Sequence, residues 1–251
     1  MYNYMKTYIV LLFIYVVLLI IFYIGNIKSQ QEYFSNNDSE QLDFYVISLR
    51  SPDRLLNIEA QNKKLNAKIN IIDAVNGINI NQNELLENKT LSSGFIDASN
   101  IKRSKEIGCY MSHDKIYNII KNNAERKKYS IILEDDFNIV PDNDAKQKLN
   151  DIIGSIDGLD FDILFLGNTF NNAGIQIKNN IYLVDKNKYP MGTFAYLINN
   201  ANIDNLLNLF KPIDSPIDNK LDTLIKNDKL NSLVVHPNII NYMAEITSGI
   251  N

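Results

Sequence analysis

The sequence predicts an α/β fold in which one sheet carries helices on both faces, preceded by a single N-terminal transmembrane helix. Three observations carry that expectation. Short continuous apolar runs recur along the chain, as strands buried on both faces do. Between them lie segments whose apolar residues repeat at helical spacing, the alternation of an α/β sheet. Residues 7–27 contain no charged side chain, and roughly 20 apolar residues suffice to span a bilayer.

Residues 1–6 read as a cytosolic tip, 7–27 as a signal anchor, 28–42 as a flexible tether and 43–251 as one globular domain. Tyr8 and Tyr23 stand near the two ends of the apolar span, where amphipathic rings favour the membrane interface. A cleaved signal peptide is the rival reading, but Tyr23-Ile-Gly-Asn26 is a poor small-x-small cleavage site. Lys6 with the amino terminus, set against Lys28, favours an N-terminus in the cytosol. The globular domain is then lumenal or extracytoplasmic.

Within that domain, residues 44–49 form a first strand, and Arg50-Ser-Pro-Asp-Arg54 turns into a helix with Leu55, Ile58 and Leu65 on one face. Residues 69–72 are a second strand ending in Asp73, and 76–105 read as a long irregular segment. Ser104 is a candidate cap for a helix to about Asn122, with Glu106 in its first turn and Cys109, His113, Ile116 and Ile120 aligned. A strand ending at Glu134 follows, then a helix with Leu149, Ile152, Ile153 and Ile156 inward. Further strands are expected at 161–166, 181–184, 194–198 and 233–235, with helices around Leu206 and Leu221.

Composition narrows the function. The 251 residues carry a net charge of −4 and no long basic stripe, which speaks against nucleic acid as a partner. One cysteine and two histidines exclude a disulfide framework, a cysteine-based zinc site and a multi-histidine metal site. The chemistry instead points to carboxylates. Ile131-Ile-Leu133 runs straight into Glu134-Asp-Asp136. Acids packed at the end of a buried strand repel one another unless a positive charge lies between them. Alternate positions project to one side, so Glu134 and Asp136 can face one cation, with His236 a candidate third ligand. Solvated, capping acids and a backbone-bonded His236 are the plainer readings.

Arg50 and Arg54 flank the first strand-to-helix turn, where guanidinium groups can hold diphosphate oxygens or simply meet solvent. Asp73 is a ribose or base acceptor, or a turn cap. Asp214 and Asp218 stand four residues apart around a proline-bounded turn. Either can take a proton from a hydroxyl, or cap the following helix. His113 and Cys109 read as core residues on the apolar face of their helix.

Taken in order, these segments resemble glycosyltransferase family 25, which includes lipopolysaccharide-type and collagen β-galactosyltransferases. The matching stretches are Tyr45-Val-Ile-Ser-Leu-Arg-Ser-Pro-Asp-Arg54, Glu106-Ile-Gly-Cys-Tyr-Met-Ser-His113 and Ile132-Leu-Glu-Asp-Asp136. Asp162-Ile-Leu-Phe-Leu-Gly167, Gly192-Thr-Phe-Ala-Tyr-Leu-Ile198 and Pro212-Ile-Asp214 complete the set. The resemblance implies a GT-A-like mixed sheet flanked by helices. It also implies inverting transfer of galactose or glucose from a UDP-sugar to a glycan or glycoprotein acceptor, assisted by Mn²⁺ or Mg²⁺. Carried onto this sequence, Glu134 and Asp136 are metal candidates. Ser48, Arg50, Arg54, Asp73 and Asp135 are donor-binding candidates, and Asp214, Asp218 and Glu106 are catalytic candidates. Lys105 replaces the family's Gly before Glu106, and Tyr117 stands where Trp is common. With no Trp in the chain, any sugar stacking falls to Tyr or Phe. The rival functions are a non-catalytic tethered glycan or nucleotide-sugar binder and a metal-dependent phosphohydrolase.

Overall fold

The computed structural model describes residues 15–23, 41–97, 99–140, 144–188 and 192–243. They fall into two units divided after residue 40. In the first, residues 15–23 form helix α1. The rest of the expected span and nearly all of the tether lie outside the described residues. Among the described residues, no helix is long and apolar enough to cross a membrane.

The second unit holds the fold. Its strands are β1 (Leu42–Ser48), β2 (Ile69–Asp73), β3 (Tyr129–Glu134), β4 (Phe137–Ile139), β5 (Ile163–Phe165), β6 (Gln176–Lys178), β7 (Ile181–Leu183), β8 (Ala195–Asn199), β9 (Ser232–Val235) and β10 (Ile240–Tyr242). Its helices are α2 (Pro52–Leu65), α3 (Gln82–Glu87), α4 (Ile101–Asn122), α5 (Ala145–Ile156), α6 (Ile203–Leu209) and α7 (Ile217–Lys226). Eight strands make one mixed sheet in the order β2-β1-β3-β8-β5-β9-β7-β6, and β4 pairs separately with β10.

The apolar runs become the central strands because both of their faces are covered. On one face α4, α6 and α7 pack Ile107, Tyr117, Leu206 and Leu221 against Ile132, Phe165 and Tyr196. On the other, α2 and α5 pack Ile58, Leu149 and Ile153 against Phe44, Ile131 and Leu133. β8 runs antiparallel between β3 and β5. The C-terminal ends of β1, β3 and β5 therefore share one edge with the N-terminal end of β8, and the acids of β3 emerge there.

The structure moves one boundary and fills one gap. Helix α4 begins at Ile101, not at Ser104, because the Asn100 side chain accepts from the Arg103 N–H at 3.2 Å. Asn is among the strongest N-caps. Ser104 is buried inside the helix, 3.0 Å from the Gln82 side-chain amide. Glu106 thus sits beyond the first turn. Among its described residues, the segment expected to be irregular contains the 3-10 turn Gly77–Asn79, the short α3 capped by the Asn81 side chain, and the start of α4.

Two glycines let α4 reach the strand ends. A Cβ on Gly108 would lie 2.6 Å from both the Val75 carbonyl oxygen and the Gly77 nitrogen. One on Gly77 would collide with the Ser104 carbonyl. Helix backbone and loop backbone touch directly, so neither can give way by a rotamer change. Gly108→Ala is expected to lower stability by about 2–3 kcal/mol, read as the urea unfolding midpoint. An unchanged midpoint would show that the 75–77 loop moves freely.

Candidate functional site

The site begins with strand alternation. Ile132 faces α4 and Leu133 faces the α2–α5 layer, so the next residue, Glu134, turns back toward α4. There its Oε1 lies 3.5 Å from His113 Nε2 and accepts the Thr193 hydroxyl at 2.5 Å. The strand stops at Glu134, and Asp135-Asp136 form the tight turn into β4. Main-chain bonds fix that turn. The Asn57 amide donates to the carbonyls of Asp135 and Phe137 at 3.0 Å each, and the Met243 N–H donates to the Asp136 carbonyl at 2.8 Å.

Arg54, on α2, supplies the positive charge between the acids. Its Nη1 lies 3.1 Å from Asp135 Oδ1 and 3.4 Å from Asp136 Oδ2. Ser48 and the Leu49 backbone also hydrogen-bond Asp135. Under Glu134 runs a buried polar chain. His113 Nδ1 is 2.7 Å from the Tyr196 hydroxyl, which is 2.8 Å from the Tyr117 hydroxyl.

Above these groups opens a cleft of about 210 Å³, lined among others by Glu106, Glu134, Asp136, Thr193, Asp218 and Tyr242. Asp218 reaches it from the first turn of α7, whose N-cap is Pro216. It is therefore a residue of the helix and not its cap. One oxygen each of Asp136 and Asp218 is buried with no hydrogen-bond partner.

The acids titrate differently because their surroundings differ. Burial alone raises Glu134, but His113, Thr193 and Arg54 outweigh it, and its pKa falls below the ordinary value. Burial and the Glu134 charge push Asp136 up to about 6, with Arg54 offsetting only part. Burial and Glu134 likewise push Asp218 up to about 6. Asp135 is raised by burial, against Ser48 and Arg54.

The remaining expected residues are placed as follows. Glu106 lines the cleft, with Arg103 Nε 3.6 Å from it and the Arg103 guanidinium over the Phe95 ring at 3.8 Å. Arg50, at φ 59°, pairs with Asp73 and donates to the Ile71 carbonyl at 3.1 Å. Those two residues link the ends of β1 and β2. Asp214 lies outside the cleft lining and pairs with Lys220 Nζ at 2.7 Å. His236 follows β9, which β8 and β5 separate from β3. Three strand spacings are about 14 Å, and the His236 ring packs edge-on against Tyr182 instead. The structure does not bring His236 to Glu134 and Asp136.

Thr193, Tyr196 and Tyr242 were not foreseen as site residues. The first two lie in the Gly192–Ile198 stretch, whose motif marks them without revealing what they touch. Tyr242 belongs to a three-residue strand, too short to leave a periodic signal.

The family model described as "Glycosyltransferase family 25 (LPS biosynthesis protein)" matches residues 41–221, an interval that contains every lining acid named above. No curated protein matches the sequence. Among solved structures, the crystal structure of an apo UDP-glucose pyrophosphorylase is similar with a TM-score of 0.40 and 10% identity, over 78% of this chain and 90% of that one. At that level the likeness carries no weight for fold or function.

Two stability outcomes follow from the electrostatics. Arg54→Ala leaves two partly buried carboxylates without their cation and is expected to cost about 2–3 kcal/mol at neutral pH. That loss should shrink in acid, where both carboxylates protonate; urea unfolding across pH measures it. Asp218 has a folded pKa of about 6, above the unfolded value of about 4. Its contribution to stability is present below about pH 4 and is lost as pH rises through about 6. Asp218→Asn should therefore raise the melting temperature at pH 8 relative to the unsubstituted protein, an advantage that fades toward pH 4.

Proposed function

The chain belongs to glycosyltransferase family 25, and from that premise we propose that it moves a hexose, galactose or glucose, from a UDP-sugar to a hydroxyl of a glycan or glycoprotein acceptor with inversion. The observation that carries this reading is the convergence of Glu134, Asp136 and Asp218 on one cleft, with buried, unpartnered oxygens on the two aspartates. Three acids facing one cavity suit a cationic ligand, through which a diphosphate can be held.

Glu134 and Asp136 fit a divalent metal. Their donors are oxygens, as Mn²⁺ and Mg²⁺ prefer, and Asp136 Oδ1 has no other partner. Bound there, such an ion supplies charge stabilisation for a departing diphosphate. The protein's own groups do the rest. Arg54 fixes Asp135 and Asp136, while His113 and Thr193 keep Glu134 ionised. Asp218 is the general base. At about 6 its pKa makes it a stronger base than an ordinary aspartate, yet leaves it ionised at neutral pH. As the acceptor oxygen bonds to the anomeric carbon, its proton passes to Asp218 and the bond to the diphosphate oxygen breaks. Asp214 is the weaker candidate because Lys220 neutralises it outside the cleft. Ser48, Arg50 and Asp73 lie at the adjacent strand ends, where the nucleoside of the donor would extend. The charge-free stretch 7–27 supports an anchored enzyme acting beside a membrane.

Purified full-length protein with Mn²⁺ and a panel of UDP-hexoses should release UDP and transfer the sugar. Asp136→Ala and Asp218→Asn should each lower kcat by at least about 100-fold. The value of kcat/KM should fall in acid, as the base Asp218 takes up its proton. Inorganic phosphate release without transfer would replace this reading with phosphohydrolysis, and absence of any UDP-sugar binding or turnover would end it.

A further inference from the structure

The floor of the cleft carries a donor that the transferase reading above does not use, the Cys109 thiol. Cys109 and His113 are four residues apart on α4, on one face of the helix. Cys109 Sγ, a nitrogen of His113 and a carboxylate oxygen of Glu134 all lie within 4.8 Å of one another. His113 is fully buried, and its Nε2 has no hydrogen-bond partner. Its contact with Glu134 Oε1 is long, at 3.5 Å, and chiefly electrostatic.

We propose that Cys109, His113 and Glu134 form a second metal site, selective for a soft transition ion such as Zn²⁺, beneath the oxygen-lined part of the cleft. One thiolate, one imidazole and one carboxylate are zinc donors. A cysteine-only or multi-histidine set is excluded by composition, whereas this mixed set is complete with the single cysteine and one histidine. The arrangement around His113 matches what a metal-bound imidazole requires. With Nε2 on the ion, Nδ1–H donates to the Tyr196 oxygen, and Tyr196 donates onward to Tyr117, so the ring and its tautomer are fixed from behind. Thr193 does the same for Glu134. Cys109 and Glu134 both line the cleft, which gives the ion an entry path and leaves a fourth position open toward the cavity. The charges also close. Zn²⁺ displaces one proton from the Cys109 thiol, and the resulting thiolate with the Glu134 carboxylate balances the two positive charges.

Sulfur and nitrogen donors favour Zn²⁺ and Co²⁺ over Mn²⁺. Glu134 belongs to both donor sets, so occupancy of the lower site withdraws it from the upper one. On the transferase reading above, Zn²⁺ is thus an antagonist of Mn²⁺-supported turnover.

The test is spectroscopic and independent of sugar transfer, so its failure and the failure of the transferase reading are separate results. Co²⁺ titrated into the metal-free full-length protein should produce a thiolate-to-cobalt charge-transfer band in the near ultraviolet, bleached by equimolar Zn²⁺. Cys109→Ser should abolish the band. Tyr196→Phe, which removes only the hydroxyl behind His113, should retain the band while weakening Co²⁺ binding by about 10–100-fold. No band in the unsubstituted protein, or a band that survives Cys109→Ser, overturns the proposal.

Discussion

The rest of the structure depends on keeping negative charge at the end of a buried strand. Glu134, Asp135 and Asp136 are consecutive, largely withdrawn from water, and joined in the cleft by Asp218. Like charges in a weakly polarisable interior raise each other's pKa, and burial adds to the effect. Among the contacts described, the paired cation within the turn is Arg54, itself buried on α2. It is shared by two carboxylates and cannot neutralise both. The turn is held by bonds that do not involve the charges: Asn57 to two carbonyls, and the Met243 N–H to a third. Pinning the backbone this way keeps the acids together when repulsion would spread them.

Because the surroundings of each acid differ, identical chemistry yields different roles. Glu134 is drawn below its ordinary pKa by His113 and Thr193 against the penalty of burial. Asp135 is outside the cleft lining and meets Arg54 and Ser48. Asp136 and Asp218 are each left with an unpartnered oxygen and a pKa near 6. An arrangement that leaves buried acceptors unsatisfied lowers stability, and such exceptions concentrate where a ligand completes the coordination.

Much of the fold was legible because the central strands are buried on both faces and so appear as unbroken apolar runs. β1, β3, β8 and β9 all declare themselves that way. The parts that were missed have little apolar periodicity to show: the polar α3, and the three-residue β4, β6 and β10. The acid pair was legible too, though for a partly different reason. Alternation explains why Glu134 turns toward α4, but β3 ends there, and a tight turn brings Asp136 beside it. His236 shows the limit of local reading. A histidine after a buried strand looks like a ligand until the sheet order is known, and sheet order depends on long-range pairing. Asp214 and Asp218 could not be separated by spacing. Only the contact with Lys220 and the start of α7 at Ile217 distinguish them.

Tyr117 has a physical role in the buried polar chain. Its hydroxyl closes the buried chain from Tyr196 through His113 toward Glu134. A buried tyrosine hydroxyl without a partner is costly, so Tyr117 and Tyr196 satisfy each other while packing among apolar side chains. Burial raises the pKa of both phenols, so the chain consists of neutral hydroxyls that pass orientation and not charge. A network satisfied along its length is rigid. Its outward end is His113 Nε2, which faces Glu134 Oε1 at 3.5 Å and lies near Cys109. The core of the protein thus continues without interruption into the floor of the cleft, and the packing that stabilises α4 against β8 is the same packing that aims the imidazole.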